Sequence, residues 1–175
     1  MWMAFVETDL GEVIRVVCPD GSTGGKVLLN FLTIAEAGCR KGNSVEEDVA
    51  AWINDFNENS EINLCDTIEK LNHVYYSGNW DYEENEYNFF IDRSPGSGMS
   101  EADFKRAIEE VRKMWADIEG LIKDVKVLVN EFRKGYLKET DWYVEQDAVG
   151  DFDGLLNALI LAKARDTKEV RIRIE

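Results

Sequence analysis

One histidine, two prolines and three cysteines are all that this chain of 175 residues offers of the residue types that most often mark catalysis, rigid turns or covalent staples. A lone histidine, His73, excludes every metal motif that needs two. Any histidine-based triad would have to be assembled from distant segments, and no GxSxG nucleophile elbow accompanies it. We read His73 as a strand imidazole without a chemical role. Cys18, Cys39 and Cys65 form an odd set with no CxxC spacing. Neither a disulfide framework nor a zinc site is expected from them, and a reducing cytoplasm follows as the compartment. Cys39 alone has electropositive neighbours in the chain, Arg40 and Lys41, as a reactive thiolate requires. Apolar runs are short and interrupted, whereas a span of the bilayer core needs about 20 apolar residues, so no membrane segment is expected. The opening residues, MWMAFVETD, lack the basic stretch that begins a signal peptide.

Basic residues are scarce in one region only. Residues 44–98 carry 13 acids against Lys70 and Arg93, a net charge of −11, while residues 1–43 and 99–175 carry −1 and −3 of the total −15. A field of that sign repels phosphate backbones and anionic lipid and attracts basic protein surfaces. Nucleic-acid and membrane partners are therefore excluded as expectations, and a basic protein is favoured. The plainer alternative is that the acid only keeps the chain in solution.

What remains is enough for a core: 45% apolar and 11% aromatic residues in a length that suits one domain. The sequence predicts an α+β fold, a single domain over 1–175 with a possible subdivision at the loop 94–99. Met3–Val6 and Val13–Cys18 read as a hairpin joined at Asp9-Leu10-Gly11. Val27, Leu28, Phe31, Leu32 and Ala35 have helical spacing with Gly38 as a stop, and a strand over Leu28–Ile34 is the alternative. Ser44-Val45-Glu46-Glu47 has the capping-box pattern for a helix presenting Val45, Val49, Trp52 and Phe56. A short helix is expected around Asp66–Leu71, then a central hairpin from His73–Tyr76 and Tyr87–Ile91. In that hairpin Tyr87, Phe89 and Ile91 share a face expected to enter the core.

Ser100 opens a second capping pattern. The apolar stripe after it, from Phe104 to Phe132, predicts a long amphipathic helix near 100–134, with a kink or break at Gly120. A strand over Val125–Val129 is its rival. The C-terminal part reads as a β-α-β unit: a strand Thr140–Gln146, a helix Leu155–Ala164 capped by Asp151 and Asp153, and a strand Glu169–Ile174. That last strand has Val170, Ile172 and Ile174 on one face and Arg171 and Arg173 on the other. Antiparallel placement of these strands stays open.

Two motifs fail on inspection. Gly21-Ser22-Thr23-Gly24-Gly25-Lys26 resembles a phosphate loop until Val27, which stands where Ser or Thr is needed, so it reads as a strand-to-helix loop. A calcium loop beginning at Asp151 would have Asp153 at position 3 but Leu155 and Ala162 at positions 5 and 12, where oxygen is required. Carboxylates are too numerous for any pair to be singled out. With no cofactor motif, we expect a non-enzymatic, acidic binding or inhibitor protein that neutralises a basic partner, as an immunity protein neutralises a bacterial toxin. Its candidate site is the acidic, aromatic rim Trp80, Asp81, Tyr82, Glu83, Glu84 and Glu86, with Glu47, Asp48 and Asp55. Aromatics anchor such interfaces, and carboxylates steer association. An oligomeric scaffold module is the alternative, and a small carboxylate-dependent hydrolase comes third.

Overall fold

The computed structural model describes residues 3–22, 24–39, 47–71, 73–75, 100–102, 105, 106, 109, 115–134 and 145–174. In chain order they form β1 (Ala4–Thr8), β2 (Val13–Arg15), α1 (Lys26–Cys39), α2 (Glu47–Asn59), α3 (Leu64–Lys70), β3 (His73–Tyr75), β4 (Ala116–Asp117), α4 (Ile118–Arg133), α5 (Glu145–Ala164) and β5 (Glu169–Ile174). This is the α+β arrangement expected. All five strands belong to one sheet, so elements on both sides of the loop 94–99 share it.

β5 is the centre of that sheet. Its alternation, EVRIRI, suits a strand covered on one face by apolar neighbours, and Val170, Ile172 and Ile174 are fully buried. On one edge it pairs antiparallel with β1, Val6 opposite Ile172, and β1 pairs antiparallel with the edge strand β2. On its other edge β5 takes two short partners end to end. β4 pairs antiparallel at Ala116–Val170, and β3 pairs parallel at His73–Ile172. The sheet is thus mostly antiparallel with one parallel pairing. The second strand expected for the central hairpin, Tyr87–Ile91, lies outside the described residues, as do the loop 94–99 and the inward face assigned to Tyr87, Phe89 and Ile91.

The first hairpin turns at Asp9–Leu10, with Gly11 at φ 81°. Glycine tolerates that left-handed backbone without the clash a Cβ brings. The helical spacing in KVLLNFLTIAEAG wins over the strand alternative: α1 buries Leu28, Phe31, Leu32 and Ala35 on one stripe. Phe31 lies at the hub of the core. Its ring packs edge-on against Phe152 of α5 at 5.3 Å and Phe132 of α4 at 5.4 Å, and against Trp52 of α2 at 6.2 Å. Edge-to-face pairs of this kind add stabilisation beyond the area they bury. α4 and α5 run antiparallel, because Glu119 at the start of α4 pairs with Lys163 near the end of α5 and Arg133 at its end pairs with Asp153.

The long stripe from Phe104 to Phe132 is interrupted three residues before Gly120. Ala116 and Asp117 are extended and hydrogen-bonded to β5, and Asp117 then caps α4, its carboxylate accepting from Gly120 N at 2.7 Å. Gly120 is therefore the third residue of a helix and not its weak point. Val125–Val129 is helical, with Val125, Leu128 and Val129 buried. The expected strand Thr140–Gln146 is corrected where the structure describes it. Glu145 and Gln146 open α5, which begins ten residues before Leu155. Its apolar residues from Val149 onward lie along α1, α4 and β1, and that packing extends the helix through Gly150 and Gly154.

At Gly154, α5 stands against the backbone just beyond β2. A Cβ there would stand 2.7 Å from the Val17 carbonyl oxygen. Alanine normally improves a helix interior by about 1 kcal/mol over glycine. Here the obstacle is backbone, so Gly154→Ala is expected to cost about 1–3 kcal/mol instead. Chemical denaturation decides between them, and a stabilised variant contradicts the packing described.

Candidate functional site

The described residues hold two buried polar centres, a third that is part-buried, and one exposed acidic surface. The first centre is Asp151 of α5, whose side chain reaches α1 rather than its own helix. Its Oδ2 accepts from Gly25 N at 3.1 Å and Leu28 N at 2.9 Å, and its Oδ1 accepts from the Cys18 thiol at 3.2 Å. The capping role expected of Asp151 is thus filled, but for the N-terminus of a different helix. Asp153 caps nothing; it pairs with Arg133. The calcium-loop reading fails for the same reason, since residues 151–162 are helical throughout. The phosphate-loop reading of residues 21–26 also closes. An internal carboxylate already occupies the amides that an anion would seek at the start of α1.

Cys18 is buried beside that carboxylate. Desolvation, with the nearby Asp151 carboxylate, pushes its thiol up to about 11, so it is a neutral thiol and not a nucleophile near neutral pH. Asp20 on the exposed turn before the glycines accepts from both the backbone amide and the hydroxyl of Ser22, which hold its carboxyl below the usual range.

The second centre lies on the sheet face turned away from Val170, Ile172 and Ile174. Glu7 and Arg171 stand directly across the β1–β5 ladder, as do Phe5 and Arg173. The Glu7 carboxylate accepts from Arg171 Nε at 2.8 Å and pairs with its Nη2 at 2.7 Å, while Arg173 Nη1 reaches the other oxygen at 3.2 Å. Arg171 also lies 5.0 Å from the Trp115 ring centroid, and Arg173 4.7 Å from that of Phe5. Glu7 and Arg171 are buried, so this face is not the solvent-facing one that alternating arginines suggest. The third centre joins α3 to α4: Lys70 Nζ and Thr67 Oγ1 both donate to Asp124 Oδ2, at 2.7 and 3.2 Å.

None of these centres assembles a base, a nucleophile and an open approach. No group of three histidine, cysteine or acidic residues placed to hold a metal ion is found among the described residues. No helix among them is long and apolar enough to cross a membrane. His73 is part of β3, paired through its backbone with β5.

The acidic surface follows α2 and α3. Asp55, Glu58, Glu61, Asp66 and Glu69 are all exposed there, and Asp55 accepts from the Asn59 side chain at 3.1 Å. Lys70, the one base between residues 47 and 70, is engaged by Asp124. Of the nine residues proposed from sequence, only Asp55 has a described side chain. Glu47 and Asp48 lie in the first turn of α2, their side chains outside the described residues. Trp80, Asp81, Tyr82, Glu83, Glu84 and Glu86 lie outside them altogether. Glu58, Glu61, Asp66 and Glu69 were missed; the acid-rich composition of 44–98 was their only signal.

The expectation of three unpaired cysteines is overturned as well. Cys39, the last residue of α1, and Cys65, in the first turn of α3, form a disulfide with their Cα atoms 5.5 Å apart. Spacing along the chain hid this, because 26 residues separate them and only the packing of α3 on α1 brings them together. Cys39 is therefore not a free thiol, and Cys18 is the free cysteine. The cytoplasmic expectation, which rested on reduced cysteines, loses that support. No protein-family model, curated protein or solved structure matches the chain.

Proposed function

We propose that the protein is a non-enzymatic, acidic binding protein that neutralises a basic protein partner, in the manner of an immunity protein holding a bacterial toxin. The observation that carries this reading is the α2–α3 surface, where five carboxylates are exposed and Lys70, the one base within residues 47–70, is paired with Asp124. Such a surface steers a basic partner at long range and disfavours nucleic acid.

Capture from the source cells with the immobilised protein tests the reading. A basic protein should be retained at about 50 mM salt and released as screening shortens the Debye length. Removing charge at Asp55, Glu58, Asp66 and Glu69 together should slow its association about tenfold and flatten the salt dependence. Recovery of no basic protein at low salt overturns the proposal. A second reading, a self-associating module, draws on exposed Leu10, Val13 and Val17 at and beside the edge strand β2. A strict monomer in sedimentation at high concentration removes it.

A further inference from the structure

We infer that the Cys39–Cys65 disulfide is a redox-operated latch on the α2–α3 unit, and that the partner which works it is a dithiol reductant. The bond closes a ring that contains the whole of α2 and begins and ends on the two elements α2 packs against, α1 and α3. Beside Cys39, Gly38 has no side chain, and this lets Val49 and Ile53 of α2 settle directly on the end of α1. The latch is therefore placed where α2 meets the rest of the core. Both cysteines are half-buried at the edge of that core, in contrast to Cys18 within it.

The physical effect follows from the open state. With the bond intact, α2 and α3 that lift from the core remain a closed ring tethered at the end of α1. With the bond cut they become one longer loop, anchored only at the end of α1 and at β3, with more conformations. Loop-closure entropy for a ring of this size makes opening on the order of a hundredfold more favourable after reduction. Opening gives up the contacts of Lys70 and Thr67 with Asp124 in either redox state, and β3 beyond α3 stays paired with β5, so the α4–α5 core is not called on to open.

The exchange is balanced. A thiolate of the reductant attacks one sulfur, and the other leaves as a thiolate that takes a proton. The reductant's second thiol then resolves the mixed disulfide. The protein gains two electrons and two protons, and the reductant becomes a disulfide. This inference concerns the latch alone and stands apart from the reading of the acidic surface.

Hydrogen exchange on the full chain, with and without dithiothreitol, tests it, preceded by alkylation in denaturant. Without reductant one cysteine should be alkylated, and with reductant three. Exchange over residues 47–70 should then rise on the order of a hundredfold on reduction, while the centres of α4 and α5 keep their protection. The Cys39→Ser/Cys65→Ser variant should match the reduced protein and ignore dithiothreitol. Three alkylated cysteines without reductant, unchanged exchange over 47–70, or an equal rise through α4 and α5 would each overturn the latch.

Discussion

Replacing Glu7 by alanine is expected to destabilise the protein by about 3–5 kcal/mol, the range observed when one member of a buried ionic cluster is removed. Glu7 is 3% exposed and is the carboxylate that Arg171 and Arg173 share. Both guanidiniums are fixed by the strand that carries them, since β5 pairs with β1 on one side and with β3 and β4 on the other. Neither can follow water outward without disturbing the central strand. The cost is expected to come more from taking away the carboxylate that both guanidiniums face than from losing a favourable pair. Urea denaturation separates the two accounts. If the pair itself were strongly stabilising, Glu7→Leu combined with Arg171→Leu and Arg173→Leu would be as unstable as the single variant. We expect the triple variant to recover most of the loss, because well-packed apolar residues replace buried ion clusters at little cost. A Glu7→Ala variant within about 0.5 kcal/mol of the parent, the range of ordinary surface substitutions, would show that the cluster is solvated.

The same cluster shows where reading the chain reached its limit. Arg171 and Arg173 fall on one face by simple alternation, and Val170, Ile172 and Ile174 on the other, as β5 bears out. Alternation cannot say what lies across the ladder. The register that sets Glu7 opposite Arg171 comes from pairing two strands at opposite ends of the chain. α1 and α2 were legible because each carries an apolar stripe at helical spacing and packs by that stripe. The break before α4 was less so, since the apolar spacing runs on through Trp115 and Ile118. Asp117, placed to cap Gly120 N, was the local signal for it, and the glycine drew attention instead. The disulfide left no trace in spacing because it depends on where α3 docks. As for the candidate site, composition pointed to the acidic region, and α2 and α3 carry its described part. Which carboxylates stand exposed there depends on which faces of the two helices the core takes up.

Asp151→Ala is the second large effect, expected at about 2–4 kcal/mol. Removing a helix cap costs roughly 1 kcal/mol where water can replace it. Here the amides of Gly25 and Leu28 are buried under α5, and leaving buried donors unsatisfied adds about 1–3 kcal/mol. Asp151→Asn keeps an oxygen for those amides but not the charge at the N-terminus of α1, so it should lose less than the alanine variant. Cys18 supplies an independent readout. Its thiol is raised from 9.0 to about 11, first by desolvation and then by the Asp151 carboxylate, which disfavours a neighbouring thiolate. A folded value above the unfolded one means that this contribution to stability is complete below pH 9 and is lost as pH rises from 9 to 11. In Asp151→Asn the repulsion is gone, so ionisation of Cys18, followed by thiolate absorbance, should move to lower pH while burial still holds it above 9.0. A titration unchanged by the substitution would mean that Asp151 does not face Cys18. Equal stability of the alanine variant and the parent would mean that α1 is capped by something else.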